Sequence, residues 1–413
     1  LNALSGEMID FLFPKLKAWQ TQSNIVAVFL QGEGDKAFCA GGDIVHLYNE
    51  MQAHKGEFSP GIEEYFTKEY QLDYLIHTFN KPFIVWGNGI VMGGGLGMMV
   101  GGSHRVVTEN SRIAMPEISI GLYPDVGGSY FLNRMPDNCG LFLGLTGASI
   151  NATDAKYCHL ADYFVVNDNK ELFINQLTQL DWQESIELNH EKLSNLLTSF
   201  EQDSSSNIPD AKLVEHKALI EQVTGFDNLK DIVAAIVTHE CEDKWFARAQ
   251  KSLKHGSALS ASLAYQQLQF GESLSLADCF RMELNLSVKS GQFGEFVEGV
   301  RALLIDKDNS PKWQFDSIEA VDKKVNTKLL IVDRVNDLSG KAKFGTKVSH
   351  AAKFSYPYLK HPRIFVEASK NSDGFIRTGN DDVEYDITSN REYNVSLPLS
   401  PDGMVRTISW TIP

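Results

Sequence analysis

Two short, wholly apolar runs, residues 25–30 (IVAVFL) and 83–86 (FIVW), constrain this chain more than any other feature. A strand apolar on both sides is buried on both sides, the condition of a parallel sheet covered by helices. Each run gives way to glycine: QGEGDKAFCAGGD after the first, GNGIVMGGGLG after the second. Residues 43–79 then read as helix interrupted near HKGEFSPG, and residues 94–100 as a further helix before a strand near 105–108. Strands alternating with helices of this length predict an α/β fold built from right-handed β-α-β units. Residues 2–20 carry helical spacing with Ser5 as a cap, and Pro14 conflicts with a straight helix there.

A chain of 413 residues has room for two or three compact units. Residues 1–200 read as the α/β core and residues 201–330 as a helical part. The polar run EQDSSSNIPDA (201–211) is the best internal hinge. Beyond residue 330, KFSYPYLKHPRIFVEASK, VEYDIT, EYNVSLPL and VRTISWTIP alternate as strands do, so residues 331–413 read as a β-rich tail. The net charge of −15 argues against nucleic acid or an anionic membrane surface as partner, though not against an anionic small ligand. Five widely spaced cysteines without a C-x-x-C indicate neither a disulfide framework nor a zinc knuckle, and favour a reducing compartment. No apolar run has the length of a membrane span. The chain starts at Leu1 rather than Met, so its N-terminus reads as cut and targeting is not judged from it.

The stretch from Gly87 to Gly128 concentrates the chemistry. CAGGD (39–43) and MGGGLG (92–97) each place backbone N–H groups at a strand-to-helix turn, free of ladder bonds. One such cluster is most simply a tight turn. Two of them, one after each parallel strand, would aim two N–H groups at one oxygen, the geometry that stabilises an enolate or a tetrahedral oxyanion. Downstream, Glu117 and Asp125 each follow a proline among apolar neighbours, where desolvation raises a carboxyl's proton affinity. Their plainer readings are an ion pair for Glu117 and a helix cap for Asp125. Glu69, in TKEYQLDYLI, reads by periodicity alone as part of a solvated helix face. Cys39 has no histidine near it in sequence and reads as a small buried hydrophobe. No histidine spacing suggests a metal site. GEGDKA (32–37) nominally fits a dinucleotide-binding fingerprint, but two more glycines follow and the helix begins no earlier than about Asp43. Walker A, H-E-x-x-H and G-x-S-x-G are absent.

At these residues the chain resembles the crotonase (enoyl-CoA hydratase/isomerase) superfamily, and most closely its 3-hydroxyisobutyryl-CoA hydrolase branch. KAFCAGGDI (36–44), EYQL (69–72), MGGGLG (92–97), AMPEISIGLYPDVGG (114–128) and EGVRALLIDKDNSPKW (298–313) carry the resemblance, which runs from Leu1 to about residue 330. It implies a ββα spiral core whose first strand is absent here, with only LNAL (1–4) left of the usual opening segment. It implies an oxyanion hole from the N–H groups of Gly42 and Gly94. Glu117 would be the catalytic carboxylate, as nucleophile or general base, and Asp125 would hold a substrate 3-hydroxyl. Glu69 would line the acyl pocket, and Lys36 would lie at the mouth beside the CoA phosphates. Family hydratases carry a second glutamate where this chain has Gly97, so the resemblance implies hydrolysis of 3-hydroxyisobutyryl-CoA, a step of valine breakdown. The alternatives are an enoyl-CoA hydratase or isomerase working through Glu117 alone, and a non-catalytic acyl-CoA-binding protein. No cofactor is implied beyond the CoA of the substrate, and family members range from monomers to hexamers. The implied setting is the cytoplasm of a bacterium or the mitochondrial matrix of a eukaryote. Residues 331–413 have no counterpart in the branch.

Overall fold

The computed structural model describes residues 1–321, together with residues 353–354 and 363–364. Seven strands build two parallel sheets. In chain order they are β1 (Val28–Gln31), β2 (Ala37–Cys39), β3 (Phe83–Gly87), β4 (Ile90–Met92), β5 (His104–Val107), β6 (Arg112–Ala114) and β7 (Tyr163–Phe164). One sheet has the order β1-β3-β5-β7 and the other β2-β4-β6. Each turn of the chain therefore lays one strand in each sheet before a helical excursion, which is a ββα spiral. The register pairs Val28 with Phe83 and Ile84 with His104 in the first sheet, and Ile90 with Arg112 in the second. The apolar run 25–30 pairs only from Val28, because the ladder opens at the Pro82 carbonyl, which accepts from the Val28 N–H at 2.9 Å.

The helices follow from capping and burial. Helix α1 (Gly6–Trp19) opens on Ser5, whose hydroxyl accepts from the Met8 N–H, and Pro14 lies inside it without ending it. Asp43 caps α2 (Ile44–His54), and Ser59 caps α3 (Pro60–His77), with Pro60 at a position that needs no N–H. The glycines of residues 32–37 lead into strand β2 and not into a helix. Helix α4 (Gly94–Gly101) is buried along its whole length, and its first N–H groups have no partner inside the helix.

The core of the first sheet packs Ile84, Trp86 and Val106 against Phe173, Leu193, Leu197 and Phe200 of the following helices. Each such ring contributes about 2 kcal/mol on burial. The run 201–211 is not a loose hinge. The Ile186–Ser204 helix extends into it, Asn151 Nδ2 donates to the Asp210 carbonyl, and the Thr153 hydroxyl donates to that of Pro209. The buried Asp154 carboxylate then accepts the N–H groups of Lys212 and Leu213 at 3.0 and 2.9 Å. Polar residues read as a linker in sequence, but here they satisfy one another's backbone.

Residues Leu1–Asn326 form one compact unit and Thr327–Pro413 another. Within the second, Lys353–Phe354 and Arg363–Ile364 pair as antiparallel strands. Both fall in the first of the strand-like stretches; the other three lie outside the described residues.

Candidate active site

The two glycine turns converge. Gly41 (φ +112°) and Gly93 (φ +50°) sit where an L side chain is strained, and both end a strand by turning the backbone sharply. The N-terminal segment fixes the first turn on both sides of Gly42: the Leu4 N–H donates to the Gly41 carbonyl at 2.8 Å, and the Asp43 N–H to the Leu4 carbonyl at 3.0 Å. Gly94 is the first residue of α4, where an N–H has no partner inside the helix. No backbone carbonyl among the described residues takes the N–H of Gly42 or Gly94. A methyl group on Gly94 would lie 3.5 Å from the Gly42 nitrogen, so the turns share one small space.

Glu117 opens the 3-10 turn Glu117–Ile120 directly after Pro116. Its carboxyl faces the second turn: a methyl group on Gly93 would lie 2.9 Å from Glu117 Oε1, and Oε2 has no hydrogen-bond partner. Among the described residues no ion pair forms at Glu117, the plainer reading of that residue. Burial, then the nearby Asp125, holds the Glu117 carboxyl well above the usual carboxylate range. Asp125 does not cap the helix that follows; α5 (Gly128–Phe131) has Gly127 as its N-cap and no side-chain cap. Instead its Oδ2 accepts the Tyr70 hydroxyl at 2.7 Å. Burial pushes Asp125 up to about 6, against the lowering effect of that hydroxyl.

Glu69 corrects its periodicity reading. It is buried at 2% exposure, and its carboxyl sits against the Gly94 turn. Burial followed by the charge of Asp125 raises its proton affinity strongly. The structure thus brings Gly42, Gly94, Glu69, Glu117 and Asp125 together. Lys36 stays apart: it is exposed at the start of β2, and its backbone carbonyl, not its amine, is engaged, by the Ile90 N–H. Cys39 is buried and its thiol is pushed up to about 12, which removes it as a nucleophile.

The sequence reading missed Tyr70, Asp73, Tyr123, Glu283 and Ser287, all buried here. Asp73 had a signal: it lies four residues after Glu69, on the same face of α3. Neither of its carboxyl oxygens has a hydrogen-bond partner, and burial raises its proton affinity strongly. Its Oδ2 would lie 2.8 Å from a methyl group on Gly97, and the Val126 Cβ 2.6 Å from it. The place a side chain at 97 would take is therefore filled. Glu283 and Ser287 belong to the helix Leu276–Phe293, remote in sequence, where nothing local points to the site.

The arrangement can hold a developing oxyanion between two N–H groups with a desolvated carboxyl at its side. The chain is similar to known proteins. The sequence profile described as enoyl-CoA hydratase/isomerase matches residues 1–330. The chain is 37% identical over 323 residues to the mitochondrial 3-hydroxyisobutyryl-CoA hydrolase of Danio rerio, covering 78% of this chain and 81% of the relative. It is 36% identical to that of Gallus gallus over the same shares. Among solved structures, a carnitinyl-CoA dehydratase from Mycobacterium thermoresistibile superposes with a TM-score of 0.70 at 30% identity, over 80% of this chain and 91% of that one.

Proposed function

The chain belongs to the enoyl-CoA hydratase/isomerase family, and from that premise we propose that it hydrolyses a 3-hydroxyacyl-CoA thioester, 3-hydroxyisobutyryl-CoA, to the hydroxy acid and free CoA. The observation that carries this reading is the pair of untaken N–H groups at Gly42 and Gly94 with the half-unpaired Glu117 carboxyl against the same turn. The thioester carbonyl oxygen accepts both N–H groups, which favours the tetrahedral state over the planar one. Two routes then lead to the same products. As nucleophile, the Glu117 carboxylate bonds to the acyl carbon, the C–S bond breaks, and water opens the resulting anhydride. As general base, Glu117 takes a proton from water, whose oxygen bonds to the acyl carbon, and returns that proton to the departing sulfur. Asp125 accepts the substrate 3-hydroxyl, and Glu69 lines the acyl pocket. The exposed Lys36 amine, outside this cluster, is left to meet the CoA phosphates. CoA enters as part of the substrate, and neither route calls on a further cofactor.

Position 97 supports hydrolysis over hydration. A second glutamate there would collide with Val126 and Asp73, so the two-glutamate arrangement has no room. Both hydrolase relatives are named as mitochondrial proteins. No helix among the described residues is long and apolar enough to cross a membrane.

The test offers the purified chain two substrates and follows two signals. With 3-hydroxyisobutyryl-CoA, free thiol appears; with crotonyl-CoA, the absorbance of the conjugated double bond stays constant. Loss of that absorbance without thiol release would replace the proposal with a hydratase.

A further inference from the structure

Asp125 stands at the end of a buried row of hydroxyls that the proposed chemistry does not use. Its Oδ2 contacts the Tyr70 hydroxyl at 2.7 Å, Tyr70 contacts Ser287 Oγ at 2.7 Å, Ser287 contacts the Tyr123 hydroxyl at 2.7 Å, and Tyr123 contacts the Glu283 carbonyl at 2.7 Å. These are four contacts among three hydroxyls, each with one hydrogen to donate. With Asp125 ionised, Tyr70 donates to it, and three hydrogens serve four contacts. With Asp125 protonated, its own hydrogen serves the first contact. Tyr70 then donates to Ser287, Ser287 to Tyr123, and Tyr123 to the carbonyl, so every contact is filled. Tyr70 changes the partner it donates to with the charge of Asp125, Tyr123 donates to the carbonyl in both states, and no heavy atom has to move.

The turn beneath Asp125 is held from the same helix. Val126 (φ +50°) and Gly127 (φ +89°) are both left-handed, a conformation that a valine adopts only when its surroundings impose it. The Glu283 carboxyl imposes it, accepting the Gly127 N–H at 2.7 Å and the Ser129 N–H at 2.8 Å. Tyr70 is locked by rings on either side, Phe66 and Phe280, at centroid distances of 5.7 and 5.8 Å.

We propose that Tyr70, Ser287 and Glu283 are positioning residues that keep the Asp125 carboxyl in one place through both of its protonation states. The proposal rests on the reading of Asp125 as the group that meets the substrate hydroxyl. Its consequence is that Asp125 gives up or takes a proton without reorganising its site, the condition for fast proton transfer in a buried carboxyl. The titratable groups that face Asp125 are Tyr65, Glu69, Tyr70 and Asp73 of α3, Glu117 of the 3-10 turn, the preceding Tyr123, and Glu283, none of them a cation. Burial disfavours the charge of Asp125, and the Tyr70 hydroxyl is the side chain whose hydrogen bond favours it.

The test uses the full chain with Tyr70→Phe, which keeps the ring and removes the first contact, and Ser287→Ala, which keeps that contact and cuts the row behind it. For Tyr70→Phe we expect kcat to fall roughly 10-fold with KM little changed, as for the loss of one donor to a charged group. The acid limb of the rate profile should move up by roughly one pH unit. Ser287→Ala removes two filled contacts from the protonated state and one from the ionised state, so it should move the limb the other way, down, and less. Carbon NMR of the Asp125 carboxyl in the free protein should show the same two displacements. A merely structural row would lower the melting temperature and leave the acid limb and the carboxyl titration in place, and that result would overturn the proposal. Wild-type protein that releases no CoA would overturn the hydrolase reading instead, and the NMR titration would still decide the positioning claim.

Discussion

Glu117 and Asp125 were legible in the sequence because a lone carboxylate among Ala, Met, Ile and Leu, after a proline and between glycine clusters, has few inert explanations. Asp73 was not, since an acid on an amphipathic helix is ordinarily solvated, and only the fold shows that α3 is covered on that side. Its position changes what Gly97 means. The absent glutamate is a filled space as well as a missing acid, so Gly97→Glu should not create a hydratase. It should lower stability by about 1–3 kcal/mol, the cost of overpacking a tight core, read as a drop in the denaturant midpoint. Gain of hydration activity at full stability would contradict the assignment. The pH dependence also belongs to single residues. Asp125 is pushed up to about 6 and Glu117 is held well above its ordinary range, and both act as carboxylates in the proposed chemistry. Activity should therefore rise with pH through an acid limb near 6 or higher, with apparent values that belong to the coupled pair. A rate that is flat down to pH 5 would contradict this.

At the scale of elements, α3 and the helix Leu276–Phe293 do the work that their sequences conceal. Each reads as an ordinary amphipathic helix, and each turns a row of polar side chains inward at the site. Capping was readable, as Ser5, Asp43 and Ser59 show, because a cap depends on its own three residues. The contact of Glu283 with the Asp125–Gly128 turn was not, because its partners lie more than 150 positions away in the chain. That contact has a thermodynamic signature. Burial raises Glu283 from 4.5 to about 8. Neutral in the fold and ionised when unfolded, it contributes stability that is complete below pH 4.5 and is lost as the pH rises through 8. The buried histidines His77 and His104, lowered to about 4, act only below their ordinary value of 6.5. Between pH 7 and 8 the wild type should therefore lose stability by up to about 1.4 kcal/mol per pH unit from this one group. Glu283→Gln should flatten that slope in thermal melts across the interval. An equal slope in both proteins would show that Glu283 is already ionised.

For the whole molecule, the alternation of buried strands and helices was enough to give the α/β class, since it follows from burial on both faces. The partition of consecutive strands between two sheets came only through the family resemblance, not through the strand pattern itself. It depends on which neighbour each strand finds, and β1 and β2 differ too little in composition to say. The same ambiguity hid the anchored run 201–211, whose partners Asn151, Thr153 and Asp154 lie at the other end of the helical excursion. The two-sheet arrangement matters for function because it brings the end of β2, the end of β4 and the turn after β6 to one point. Gly42, Gly94 and Glu117 meet there. The most direct measurement is the rate of free CoA release from 3-hydroxyisobutyryl-CoA by the wild type and by Glu117→Ala. The account predicts turnover by the wild type and a loss of roughly 100-fold or more in the variant, with substrate binding kept. No release by the wild type, or full release by the variant, would contradict it.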